Sequence, residues 1–449
     1  MNGYGYGYQK KKGGKMKKLL LILLLPFVLL ILYYTTYKLF LIPPPEVEGI
    51  DAFRLLPAKK TVTLQGKNLK SITVLITQDL KSRELLRDEP QTVESTYTIE
   101  IKPKALGLRD GPAVVTIAVK SGILKKAEYK VDAMVDTVPP KLRVVDSPST
   151  VYQGMGTLAL LRADGADSVF VSTGDGAPFK AYRLPGGPDN TYVVFFPIPV
   201  DTKTKAVFRA VAEDKAGNRT ARTLPLKIKK KAFRRSSIRI NDDFIRRVIY
   251  PMFNDADPPA PAKAFLVVNE QWRQRDVRRL AAIGRDSAPR MLWKGRFLQL
   301  KNSKVMAAYG DRRVYLYRGR PISRSVHLGY DLASVSNASV GAANSGVVKF
   351  AGDLGIYGNA VIIDHGLGLM SLYGHLSEIL VEEGQEVKKG ELIARTGSSG
   401  LAGGDHLHFG ILVQGVEVSP LYWWDKRWIR ANVGIIESYG RGNAVKGRR

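Results

Sequence analysis

His406-Leu407-His408-Phe409-Gly410-Ile411-Leu412-Val413 reads as a β-strand that opens on two imidazoles. On a strand the period of two sends His406 and His408 to the same face. Working back from it, Gly397 to Gly404 is a flexible Gly/Ser approach, and Gly384 to Ala394, with Val387 and Leu392-Ile393, reads as a hairpin. Gly346 to Phe350 and Ala360 to Asp364 are β-rich in the same way. All five histidines of the chain lie in this region: His327, His365, His375, His406 and His408. His327-Leu328-Gly329-Tyr330-Asp331 adds an imidazole and a carboxylate four residues apart, with Gly329 letting the chain bend between them. The 449 residues contain no Cys, so a thiol nucleophile, a disulfide framework and a Cys-held metal are excluded. A metal must be held by His, Asp or Glu. No His-Glu-x-x-His helix occurs, which excludes the helical zinc-protease plan.

A catalytic zinc takes three protein ligands and a water whose pKa it lowers to about 7. Five candidate imidazoles and a carboxylate are enough for a ligand set with groups left over for proton transfer and oxyanion stabilisation. Four blocks then occur in a fixed order: Tyr309-Gly310-Asp311-Arg312-Arg313, His327-x-Gly329-x-Asp331, Tyr373-Gly374-His375-Leu376-Ser377 and His406-Leu407-His408-Phe409. Over roughly residues 303–425 they make the chain resemble the lysostaphin-like, or LytM-type, zinc endopeptidases that cut peptide cross-links in bacterial cell walls. The resemblance implies an antiparallel β domain over 303–430 with Zn2+ at the floor of an open groove. It implies His327, Asp331 and His408 as zinc ligands, His375 and His406 as the catalytic pair, and peptidoglycan peptide stems as the substrate. It gives His365 a structural role. Two positions depart from the pattern: Asp405 stands where relatives more often carry Pro or another uncharged residue, and Val326 where a second His is common. Some relatives have lost ligands and only activate wall amidases, so a non-catalytic murein-binding scaffold or activator is the alternative. Here the full ligand set is kept.

The rest of the chain is expected to be mainly β as well. Residues 1–18 form a basic tail with six lysines, and the apolar run from Leu19, extended by Tyr33, Tyr34 and Tyr37, reaches the roughly 20 residues of a transmembrane helix, placed over 19–42. Lysines on its N-terminal side predict a cytoplasmic tail, and no Ala precedes Ala52, so no A-x-A cleavage site follows the run. A single-pass inner-membrane protein with its catalytic domain on the periplasmic or extracytoplasmic side is expected. Alternating runs such as Ile72 to Ile76 and Ala113 to Val119 predict a β-sandwich over 46–135. A second, immunoglobulin-like module over 136–230 resembles bacterial cell-surface modules and is expected to be a stalk. Residues 231–302 form a basic helical connector: Asn241 caps Phe244 to Ile249, Pro251 stops it, and a longer helix runs from Pro258-Pro259-Ala260-Pro261 to Gly284. Its segment 241–284 is either a packed connector or a cover that folds over the metal groove and holds the enzyme inactive. Residues 431–449 read as a basic tail.

Charge supports this division. The chain carries 69 Lys and Arg against 41 Asp and Glu, a net +28. Residues 227–319 hold 23 basic and 8 acidic residues, whereas 320–430 hold 9 and 11. The excess therefore belongs to the tail and the connector. An exported chain of this orientation is not expected to meet nucleic acid.

Overall fold

A computed structural model describes residues 14–37, 43–122, 125–174, 176–184, 186–253 and 257–440, without the side chains of 14–19, 21, 437 and 440. The Tyr/Gly repeat and first lysines, residues 38–42 of the expected span, and 441–449 lie outside them. The N-terminal segment is helical over Gly14–Thr36, 23 residues with Pro26 inside. Its described apolar side chains from Leu20 to Tyr37 are exposed. Among the described residues, no helix is long and apolar enough to cross a membrane.

The chain divides into two compact units, residues 1–138 with 215–218, and 139–214 with 219–449. In the first unit, a three-stranded sheet (46–48, 60–67, 94–101) and a five-stranded sheet (55–56, 126–135, 111–120, 71–78, 81–88) enclose one core. The sequence alternation explains it: Ile72, Val74 and Ile76, like Val115, Ile117 and Val119, point inward while their neighbours do not.

The second unit holds the strands of the expected second module and the histidine-bearing sheet, and these are not separate bodies. Strand Thr191–Ile198 is buried at every residue. Tyr192, Val194, Phe196 and Ile198 fill the module's own core, while Val193 and Phe195 join the core that lies under the histidine sheet. Leu158 and Leu160 do the same on the neighbouring strand Met155–Asp164. Gln414 fastens the junction, donating to the carbonyls of Phe195 (2.8 Å) and Lys180 (2.9 Å) and accepting from the Lys180 amide (2.7 Å). The stalk reading is therefore corrected. A continuous apolar run with no polar alternation is the mark of a strand buried on both faces.

The histidine sheet is ten-stranded, with Leu407–Val413 and Leu369–Ile379 side by side at its centre. Tyr330–Ala333 flanks the first, and Asn359–Asp364 the second. Residues 384–394 turn as expected but do not pair with themselves. Glu386–Val387 joins Gly346–Asp353, and Leu392–Thr396 joins Ser339–Gly341 and Leu369–Ile379.

The connector is helical in part. Its first segment, Arg235–Ile240, is a strand lying parallel to Arg312–Tyr317. Asn241 then caps the helix, accepting from the Phe244 amide at 2.8 Å, and a second helix runs from Pro261 to Ile283, wound more widely over Val267–Trp272. Residues 431–440, expected to begin a basic tail, are helical through Gly440, with Val433, Ile435 and Ile436 buried in the main core.

Candidate metal centre

Each functional side chain is placed by the local backbone. Asp331 and His408 are direct partners across two antiparallel strands, so they share a face. Gly374 is His408's partner on the other side. His375, one residue on, would point to the opposite face of a regular strand. Instead it sits at φ 62°, where the strand gains one residue against Asn359–Val361, and this bulge turns its ring toward His408, 5.8 Å between centroids. His406, just before the strand, lies beside it with the two ring centroids 4.8 Å apart and the planes tilted by 50°. His327 arrives from the end of strand Arg320–Val326, and Gly329 carries the chain over the His408 ring. A Cβ on Gly329 would lie 2.5 Å from His408 Nε2.

Three atoms converge: His327 Nε2, Asp331 Oδ1 and His408 Nδ1, with separations of 2.9, 3.0 and 3.1 Å. Hydrogen bonds do not account for this triangle. His327 Nδ1 donates to the Ala308 carbonyl at 3.1 Å, so the neutral ring presents a bare Nε2. Burial alone would raise the Asp331 carboxyl, but the imidazoles gathered around it outweigh that and hold it well below the usual carboxylate range. A single proton on His408 cannot serve all three edges. With its Nδ1 turned to the triangle, His408 leaves Nε2 buried without a partner among the described residues. Three lone pairs facing one point fit a cation. Tetrahedral zinc bonds of about 2.0–2.1 Å set ligand atoms about 3.3–3.4 Å apart, close to what is seen.

Two imidazoles remain, and their surroundings drive them apart. His375 donates from Nδ1 to the Ser399 carbonyl at 2.8 Å. Burial, with His406 and His408 facing it, pushes it down to about 3. His406 donates from Nδ1 to the Gly404 carbonyl at 2.7 Å. Burial would lower it too, but Asp331, 3.6 Å from its Nε2, wins and raises it. The two rings are thus pushed in opposite directions, His375 down and His406 up.

The site residues expected from sequence thus meet in one place. His365 does not join them. It is fully buried beneath the sheet, donating to the Ser345 carbonyl with Ser371 Oγ 2.8 Å from its other nitrogen. Asp405 is not a metal partner either: it accepts from the Asn337 amide at 3.0 Å and steadies that loop.

Sequence reasoning missed several neighbours. Arg313 donates to Asp331 Oδ2 at 3.2 Å, leaving Oδ1 for the triangle. Tyr357 packs against His408 at 5.4 Å and donates to the buried Glu417 at 2.8 Å. The connector supplies the roof, since Ile238, Ile240, Phe244, Phe265 and Arg273 line, with the histidines, a pocket of about 240 Å³. Arg313 lay in a quoted block and could have been found. A cover over the groove was one of the two readings of the connector, but the strand pairing that seats it, more than seventy residues apart, was not legible.

This arrangement is that expected of a metal-dependent hydrolase. Comparison with known proteins defines the domain further: residues 325–420 match peptidase family M23, so the chain carries an M23 peptidase domain of the LytM type. The DD-carboxypeptidase/endopeptidase Mpg of Neisseria meningitidis is 41% identical over 107 residues, 23% of this chain and 25% of that protein. The peptidoglycan DD-endopeptidase ShyA of Vibrio cholerae is 33% identical over 120 residues, 26% and 27% of the two chains. A lipoprotein NlpD/LppB homolog of Pseudomonas aeruginosa is 43% identical over 104 residues, 23% and 35%. The chain thus spans about a quarter to a third of the length of these relatives.

Proposed function

We propose that the protein is a zinc-dependent endopeptidase that hydrolyses peptide cross-links of peptidoglycan. The observation that carries this reading is the intact triangle of His327, Asp331 and His408 with two differently tuned imidazoles beside it. Zinc, when bound, supplies an activated water and polarises the scissile carbonyl. His375 holds its Nδ1 proton on the Ser399 carbonyl and so offers Nε2 as a proton acceptor. His406, held by Gly404, can donate from Nε2 to the oxyanion or the leaving amine. Arg313 fixes the Asp331 carboxylate. The roof shields the reacting groups from water and sets who may enter.

The proposal extends to location: although the described part of helix Gly14–Thr36 is not by itself long and apolar enough to cross a bilayer, its exposed Leu, Ile and Phe side chains suit attachment to the cytoplasmic membrane with the peptidase outside it. A second reading, activation of a wall amidase without catalysis, is favoured by the roofed pocket and by the relatives named murein hydrolase activator NlpD. Muropeptide release from purified sacculi by the wild type and His406→Ala separates the two. Release that the variant abolishes supports the enzyme, while a zinc-loaded wild type that releases nothing supports the activator.

A further inference from the structure

A cavity of about 980 Å³ adjoins the histidine pocket, and loop residues Ala402 and Gly403 line both. The histidine pocket, at about 240 Å³, is below the roughly 300–1,000 Å³ of ligand-sized sites. A cross-linked pair of peptides that reaches the imidazoles must therefore continue beyond it, and the shared loop makes the second cavity the way out.

One wall of that cavity is built by the connector, the other by residues from 353–355 and 398–404. Arg247 and Phe253 come from its first helical stretch, Trp272 and Arg275 from its second. Trp272 packs against Phe253 at 4.9 Å and lies under the Arg275 guanidinium at 5.1 Å. Its ring is thus engaged in holding an arginine in place rather than offered as a platform for a sugar. Arg247 uses Nε and one terminal nitrogen on a single oxygen of Asp243 (2.9 and 2.6 Å), and Arg275 uses its Nε on Asp276 (2.9 Å). A guanidinium has five N–H donors, so each retains some for another acceptor. The two side chains are 72% and 54% exposed. Asp353 is the one carboxylate among the described lining residues, and its Oδ1 already accepts from the Gly355 amide at 3.2 Å. With Asp243 and Asp276 counted, three described carboxylates stand by the two arginines, so charge alone does not select the ligand; the N–H donors the two exposed forks retain suit a partner with a planar oxygen pair.

We propose that this cavity is a carboxylate-binding subsite for the wall peptide whose scissile bond sits at the imidazoles, with Arg247 and Arg275 holding the carboxylate. The proposal rests on the peptidase reading above and deepens it by naming what the connector recognises. It gives the basic excess of residues 227–319 a task at the active site.

The test uses the full chain in detergent and a synthetic cross-linked dimer of stem peptides, with its carboxylates either free or amidated. The wild type should show about a tenfold lower KM for the free acid, about 1.4 kcal/mol of recognition, at similar kcat. In Arg247→Gln and Arg275→Gln the acid-to-amide KM ratio should collapse toward one. Arg275 neutralises the buried Asp276, so its loss can disturb folding. Asp243, the partner of Arg247, is exposed, and that variant keeps the test readable. Equal KM values for acid and amide in the wild type, or variants that shift both substrates alike, would overturn the subsite. If the wild type cleaves neither dimer, the peptidase reading fails and equilibrium dialysis of the uncut dimers decides the subsite. A preference for the free acid that Arg247→Gln removes supports it, and equal retention of both forms contradicts it.

Discussion

The floor and the roof of the histidine pocket are built on different principles. On the floor, every functional side chain is fixed by backbone register, by a bulge or by a carbonyl that holds one ring nitrogen. Above it the connector contributes mostly apolar side chains, Ile238, Ile240, Phe244 and Phe265, held by packing. Chemistry that must place lone pairs within tenths of an ångström needs the first kind of support, whereas a cover that must admit a polymer works with the second.

The largest effect should come from breaking the floor. Asp331→Ala or His408→Ala removes a corner of the triangle and should abolish zinc retention and lower turnover by about a thousandfold or more, read by metal analysis and muropeptide release. Next is the support beneath it. Burial pushes His365 down to about 4, so between pH 6.5 and about 4 the unfolded chain takes up a proton that the folded one refuses. Stability present above pH 6.5 is therefore lost as pH falls, by roughly 3 kcal/mol from this residue. Urea unfolding of the unit at pH 7 and 4.5 should show a smaller drop for His365→Gln than for the wild type. A subtler break is Gly329→Ala, whose Cβ would meet His408 Nε2 at 2.5 Å. Zinc affinity should fall about 10–100-fold, the range seen when a ligand's support is disturbed. The roof should respond least and in the opposite direction. Phe244→Ala opens the pocket and should raise turnover of sacculi a few-fold with zinc content unchanged. A loss of zinc in that variant would show that the roof also holds the floor.

The same contrast governs how much could be read from the sequence. The floor was legible because its information is local: His406 and His408 two apart on a strand, His327 and Asp331 around a glycine, and alternating runs for the first sandwich. The expectation that His375 joins the site came only through family resemblance, since no local signal announces that Gly374-His375 sits in a bulge. The union of the second module with the peptidase was written in Tyr192 to Ile198, where no polar residue alternates, but a run of that kind does not say what covers its second face. A cover over the groove was one of two readings of the connector, but how it is seated, and the arginine-lined cavity beside it, were hidden for a different reason. They arise from a parallel pairing of Arg235–Ile240 with Arg312–Tyr317, a contact that no spacing in either segment encodes.

The most direct test is zinc content together with muropeptide release from sacculi, measured on the full chain and on Asp331→Ala in parallel. The account predicts one zinc per wild-type chain with cross-linked muropeptides converted to monomers, and neither zinc nor product for the variant. A wild-type chain that binds zinc stoichiometrically and leaves the sacculi intact, even with Phe244→Ala opening the roof, would contradict it.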